Sequence, residues 1–344
     1  MTSRATSCGR ETMAEWRKPF PGAAQDDPYW PRASAWLRGE LARVSPGEGR
    51  LFALLGVPLS QGSPPPNGSH LAPPAIRGAM AKFSSFAAGV GWWQTPLNID
   101  LCDLTPVDLG DLPLEELDNV TAQEVVLDEV RKLKSNAKLP RLPDLTVFLG
   151  GDDTLLRPVV RGAARDLSRT GLLTLDAHHD VRVYYRNMGP HNGSPVRGLI
   201  DDGLPGANII EIGMSCFGNA AVYRKYCEEQ GITVIGVNQA RAEGLGPCIE
   251  RNLRSLATRC EEIFVDFDLD VIDRGFSPGC PGARPGGLAP WDVHDAAFAV
   301  GSNSKVRGLC IVEVEPTSDP SGIAVENAAL CILHAAAGLA AREQ

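Results

Sequence analysis

The strongest constraint on this chain is a rhythm: short runs that are apolar at nearly every position alternate with longer segments of helical period. Eight such runs occur, in "RLFALLGVPL", "LNIDLCDL", "DLTVFLGG", "GLLTLDA", "ANIIEIGM", "GITVIGV", "EIFVDFDLDV" and "VRGLCIVEVEP". Between them lie stretches such as "LEELDNVTAQEVVLDEVRKLKS", "TLLRPVVRGAARDLS" and "PWDVHDAAFAVGS", and a last helix, "GIAVENAALCILHAAAGLAAR", closes the chain. A strand apolar on both faces has to be covered on both faces. The pattern therefore predicts an α/β fold, a three-layer α/β/α arrangement around an eight-stranded, mostly parallel sheet. Residues 46–344 read as one domain. Residues 1–45, rich in Pro, Trp, Arg and Asp without periodicity, read as an irregular N-terminal extension, and "QGSPPPNGS" as a surface loop.

In parallel sheets, ligand sites form where strands end at their carboxyl edge. Four of the predicted strands end there in acid: "FLGGDDT" (Asp152, Asp153), "LDAHHD" (Asp176, His178, Asp180), "VDFDLDVID" (Asp266, Asp268, Asp270, Asp273) and "VEVEP" (Glu313, Glu315). A single acidic strand end is ordinary, because Asp caps helices and starts turns. Four on one edge would repel one another unless protonated or neutralised by a cation. In D-x-H-x-D and D-x-D, alternate residues project to one side of an extended chain, so these groups can converge. Mixed imidazole and carboxylate suits Mn²⁺, Zn²⁺ or Ni²⁺ better than Ca²⁺ or Mg²⁺. So many anionic ligands fit a pair of metals about 3.5 Å apart. Asp266, deeper in its strand, is expected to be buried behind the ligands against a supporting partner rather than to ligate directly, and His179 to face away. His70, His294 and His334 have no acidic company and read as structural.

Composition narrows the function classes. A formal net charge of −9 gives no support to a nucleic-acid partner. No run is read as a membrane span, and the first twenty residues hold Arg4, Arg10, Arg17 and Lys18 without an apolar stretch, unlike a secretory signal. Nine scattered cysteines, with no C-x-x-C, argue for a reducing compartment and a cytoplasmic protein.

The ordered strings G-G-D-D, D-A-H-H-D, N-G-S-P, D-F-D-L-D-V-I-D, P-G-C-P-G-A-R-P-G-G-L and E-V-E-P resemble the ureohydrolase superfamily, which includes arginases, agmatinases, guanidino-acid hydrolases and formimidoylglutamases. The resemblance runs from "LLGVP" near Leu54 to the last helix. It implies an eight-stranded parallel sheet between helices, two Mn²⁺ per subunit with a bridging hydroxide (Ni²⁺ or another divalent ion being the alternative), and a homo-oligomer, trimer or hexamer. Carried over by position, Asp176, His178, Asp180, Asp268 and Asp270 match metal ligands. Glu313 matches the acid that pairs with the substrate's cationic nitrogen.

Two positions depart from the arginase pattern. G-G-D-H is replaced by G-G-D-D, which puts Asp153 where a histidine ligand is usual. H-G-[QT]-P is replaced by "HNGSP", which puts Asn192 at the loop histidine's place and His191 one step earlier. The strings "DAHHDVR", "NGSPVRGLIDDGLPG" and "GCPGARPGGL" resemble the formimidoylglutamase branch most. That resemblance implies hydrolysis of N-formimino-L-glutamate, a small-molecule substrate from histidine breakdown, to L-glutamate and formamide. Asp180 and Glu313, with His191 as a substitute proton shuttle, are the catalytic candidates. Asn192, Ser194, Arg182, Arg197 and Arg284 are the substrate-binding candidates, the arginines because a guanidinium can grip a carboxylate in two places. A urea-releasing guanidino-acid hydrolase is one alternative reading, and a metal-impaired non-catalytic homologue is another.

Overall fold

The computed structural model describes residues 30–44, 48–64, 67–91, 95–184 and 189–342. In chain order the strands are β1 (Leu51–Val57), β2 (Phe86–Val90), β3 (Leu97–Asp100), β4 (Thr105–Asp111), β5 (Leu145–Gly150), β6 (Thr170–Leu175), β7 (Ile209–Met214), β8 (Thr233–Gly236), β9 (Glu262–Asp268) and β10 (Val306–Val312). Eight of them form one sheet in the order β4-β1-β5-β10-β9-β6-β7-β8, with every neighbouring pair parallel. Strands β1, β5, β6, β7 and β9 are buried at every position, as their unbroken apolar runs require.

The membership of the sheet differs from the sequence reading at one place. "LNIDLCDL" supplies β3, which pairs antiparallel with β2 in a separate two-stranded ribbon. The eighth sheet position belongs to β4, "TPVDLGD". This is an edge strand, half solvated, and an edge tolerates Pro106, Asp108 and Gly110; those residues hide its apolar signature.

Helices cover both faces. On one side lie α1 (Ala33–Leu37), α2 (Ala72–Ala79), α7 (Val237–Glu243), α8 (Leu245–Ala257), α9 (Pro290–Ser302) and α10 (Ile323–Ala340). On the other lie α3 (Asn119–Lys132), α4 (Leu156–Ala163), α5 (Pro195–Asp201) and α6 (Ala221–Gln230). Local chemistry sets their ends. Asp118 caps α3 by accepting from the N–H groups of Val120 and Thr121, and Arg131 and Lys132 sit in its last turn, where the helix dipole favours cations. Helix α10 is long and apolar enough to cross a membrane, beyond what the sequence reading allowed for any run; here it is a core helix, mostly buried against α9 and α2. The irregular extension expected over 1–45 holds structure in its described part. Trp36 of α1 is fully buried and packs on Phe52 of β1 with ring centroids 5.5 Å apart. Residues 1–29 lie outside the described residues.

Candidate metal centre

The four acidic strand ends belong to β5, β10, β9 and β6, which are consecutive in the middle of the sheet. Asp152 and Asp153 follow β5, Asp176 follows β6, Asp268 ends β9 and Glu313 follows β10. Parallel pairing keeps these ends on one edge, at the floor of a cleft of about 460 Å³. His178, Asp180, Asp268, Asp270 and Glu313 line it, as do Arg182, Asn192 and Arg284.

Asp176, His178 and Asp270 each bring a donor atom within 4.8 Å of the other two. His178 Nδ1 is 2.8 Å from Asp270 Oδ2 and 3.6 Å from Asp176 Oδ1. Backbone N–H groups fix the carboxylates: Asp176 Oδ1 accepts from His178 at 2.6 Å, Asp268 Oδ1 from Asp270 at 2.8 Å and Asp270 Oδ1 from Ala177 at 3.2 Å. Asp180 and Glu313 have φ of 50° and 61°, and among the described non-glycine residues only Phe217 shares a positive φ. Backbone in that region costs about 1–3 kcal/mol per residue and is kept where the surroundings over-determine it, as at sites. Glu313 is held from both sides. Its Oε1 accepts from the Asp153 N–H at 3.0 Å and from Asn192 Nδ2 at 3.1 Å, and its own N–H donates to Gly151 O at 2.8 Å.

The electrostatics of the cluster are those of crowded, buried acids. Burial, and then neighbouring carboxylates, hold Asp153, Asp180, Asp266 and Asp268 well above the usual carboxylate range. The same causes take Asp176 up to about 7, and burial with Asp152 takes Glu313 up to about 8. Burial opposes a charge on His178, but Asp270 and Asp176 outweigh it and push the imidazole up to about 11. Asp270 goes the other way; burial would raise it, yet His178 keeps it below its ordinary value. Among the described residues no N–H or hydroxyl reaches either oxygen of the buried Asp153, whose side-chain neighbour in hydrogen-bond reach is another carboxylate, Asp180. A buried acceptor left in that state costs about 1–3 kcal/mol. A divalent cation satisfies the orphaned oxygens and cancels the repulsion, so the donor set fits the metal that the D-x-H-x-D and D-x-D spacing predicts.

The other expected residues divide. Asn192 faces the cleft, as does Arg182, which has no ion-pair partner among the described residues. Gly193 lets the arginine stem approach, since a Cβ there would lie 2.9 Å from Arg182 Cδ. Arg284 also lines the cleft, with Nη1 donating to Gly282 O at 2.8 Å. His191, Ser194 and Arg197 are not on the cleft wall. His191 Nδ1 accepts from the Gly193 N–H and Nε2 donates to Val183 O, so loop backbone meets both ring nitrogens of the residue expected to move protons. Ser194 Oγ donates to His191 O at 2.7 Å and accepts from the His191 N–H at 3.0 Å, closing the same turn. Arg197 sits on α5, donates to Val181 O and lays its guanidinium 3.9 Å over the Tyr226 ring. Asp152, fully buried, accepts from Gly62, Ser63 and Thr154 and shapes the loop without facing the cleft.

Sequence reasoning missed the support behind the cluster. His179 turns from the cleft to Glu211, buried in β7, while Asn219 accepts from the His179 N–H and donates to Ala177 O. These contacts clamp the chain carrying Asp176, His178 and Asp180. The signal was present: Glu211 is an acid inside the otherwise apolar "ANIIEIGM". Glu315 was seen as acidic but has a different task, accepting from Gly68 N, Thr317 Oγ1 and Ser318 Oγ to hold the loop that carries Asn67 to the cleft.

The arginase family matches residues 50–338. The chain is 34% identical to a formimidoylglutamase of Halalkalibacterium halodurans over 78% of its own length and 81% of the relative's. It is 32% identical to a formimidoylglutamase of Bacillus subtilis over 83% and 86%. The crystal structure of formimidoylglutamase from Bacillus subtilis superposes with a TM-score of 0.81 at 29% identity, covering 94% of this chain and 96% of that one. A Trypanosoma cruzi formiminoglutamase with Mn²⁺ shares the fold at a TM-score of 0.75 and 19% identity, over 91% of this chain and 100% of that one.

Proposed function

The chain belongs to the arginase family, and on that premise we propose that it hydrolyses the carbon–nitrogen bond of a linear amidine, N-formimino-L-glutamate, to L-glutamate and formamide. The observation that carries the reading is the cleft itself, a cluster of buried acids at its floor and, on its wall, the guanidinium of Arg182, which has no ion partner among the described residues. Relatives named formimidoylglutamases, at 34% and 32% identity, support the choice of substrate.

Asp153, Asp176, His178, Asp180, Asp268 and Asp270 would hold two divalent cations, manganese by preference. When bound, such cations supply the Lewis acidity that makes water a nucleophile near neutral pH. Glu313, with Oε1 committed to Asp153 N–H and Asn192, offers Oε2 to the amidinium and sets its plane. Water adds to the formimino carbon, the bond from that carbon to the glutamate nitrogen breaks, and Asp180 carries a proton to the leaving amine. Arg182, with Arg284, pairs with the carboxylates of the glutamate part. The small-molecule substrate, a cytoplasmic setting and a trimeric or hexameric assembly belong to the same reading.

The test is an assay of purified, Mn²⁺-loaded protein on N-formimino-L-glutamate, with glutamate and formamide measured together. Equimolar release is expected. Urea from a guanidino acid, with no turnover of the formimino compound, would replace the substrate, and no turnover on any amidine would favour a non-catalytic homologue.

A further inference from the structure

Asp266 is the one acid of the "VDFDLDVID" run that neither the ligand pattern nor the loop chemistry uses. It sits in β9 two residues before Asp268, on the same side of the strand, and is fully buried. Both of its oxygens lack a hydrogen-bond partner, although a supporting partner was expected. Among the described residues, Asp153 is the only other acid in that condition. The two interact: Asp266 is the leading charged neighbour of Asp153, while Asp176, Asp180 and Glu313 press on Asp266 in turn. Structural acids nearby look different. Asp152 is equally buried but accepts from three residues, and Glu211 has His179.

Buried carboxylates that no N–H or hydroxyl reaches are compensated where a cation meets their oxygens, and Asp266 and Asp153 are the two acids among the described residues in that condition. Resting on the two-metal reading above, we propose that Asp266 is a further ligand, and that with Asp153 it makes the inner cation position of this chain carboxylate-rich. An inner position built from oxygen rather than imidazole is harder, and it favours Mn²⁺ over Zn²⁺. Asp153 at the place of the usual histidine is then no defect. The inner cation loses a neutral nitrogen and gains two anionic oxygens.

The full-length chain is stripped of metal, reloaded with Mn²⁺ and dialysed. Bound Mn²⁺ is then counted by elemental analysis, its affinity measured by titration and its environment followed by electron paramagnetic resonance. Asp266→Asn keeps the shape and removes the charge. It is expected to weaken the tighter Mn²⁺ by at least about tenfold, the lower end for altered metal shells, and to change the resonance spectrum. Mn²⁺ held as tightly as in the parent, or more tightly because a repelling charge has gone, overturns the proposal. Asp268→Asn is the control: if it too leaves Mn²⁺ binding unchanged, the two-metal reading fails as a whole, whereas unchanged binding in Asp266→Asn alone overturns only the assignment of Asp266. Should the variant not fold, the crystal structure of the Mn²⁺-loaded parent decides. An Asp266 oxygen within about 2.0–2.6 Å of the ion supports ligation, and a longer separation refutes it.

Discussion

Arg182 and Arg197 carry the same charge into different surroundings. Arg182 meets the cleft without an ion partner among the described residues, whereas Arg197 is spent on Val181 O and the Tyr226 ring. A charge-assisted contact contributes about 1.5–3 kcal/mol, so Arg182→Ala should raise KM for a dicarboxylate substrate by about 10–100-fold with a smaller change in kcat. Arg197→Ala should leave KM nearly unchanged and lower the melting temperature instead, since a cation–π contact is worth about 0.5–2 kcal/mol. Steady-state kinetics on both variants decides; equal effects on KM would remove Arg182 from the anchoring role. This pair also marks where the sequence is readable. Asp176, His178, Asp180, Asp268 and Asp270 could be named from their D-x-H-x-D and D-x-D spacing at strand ends. The structure brings Asp176, His178 and Asp270 within 4.8 Å of one another and lines the cleft with His178, Asp180, Asp268 and Asp270, although only Asp268 is still in a strand. The "HNGSP" loop has no such period, so nothing in its letters says that His191 turns inward while Asn192 faces the cleft. The same limit hid the arginines, which declare a charge but not a direction.

At the level of elements, α9 and α10 meet through glycine. A Cβ on Gly301 would lie 2.0 Å from Ala335 O, and one on Gly338 would lie 2.1 Å from Phe298 O. Alanine is the better helix former by about 1 kcal/mol, yet overpacking costs about 1–3 kcal/mol, and here the obstacle is backbone. Gly338→Ala should therefore be destabilising, read as a lower melting temperature; a rise would mean that the helices separate freely. The same two helices stack His294 on His334, with ring centroids 5.4 Å apart. Burial holds both imidazoles down to about 4, with His334 adding to the effect on His294. In the unfolded chain they titrate near 6.5. The unfolded state thus takes up protons first, and the stability these groups contribute is present above about 6.5 and lost as pH falls toward 4. Thermal melts between pH 7 and pH 4 should show a shallower loss for His334→Leu than for the parent; parallel curves would contradict the assignment. Reading these helices from their period needed only the sequence, as did seven of the eight strands of the sheet. Strand β4 was hidden because an edge strand need not be apolar throughout, and α1 because five residues give too little period to register.

Across the whole molecule, the acids that unsettle the cleft on their own become an asset once a cation is present. A ligand at a hundred times its Kd stabilises by about 2.7 kcal/mol, which for a chain of this size raises the melting temperature by about 4 °C. Melts in Mn²⁺ and in chelator should differ by at least that much, and identical melts would count against a native metal site. The sheet order adds a consequence for how the chain matures. Strand β10 is the last strand made, yet it lies between β5 and β9 in the centre of the sheet. Until it inserts, Asp153 at the end of β5 has no fixed distance from Asp176 and Asp268, which hang on strands across the gap. A cation position that draws on Asp153 would therefore exist only once the sheet is closed, whereas the Asp176, His178 and Asp270 group sits at the ends of β6 and β9, which pair directly and need no late strand between them.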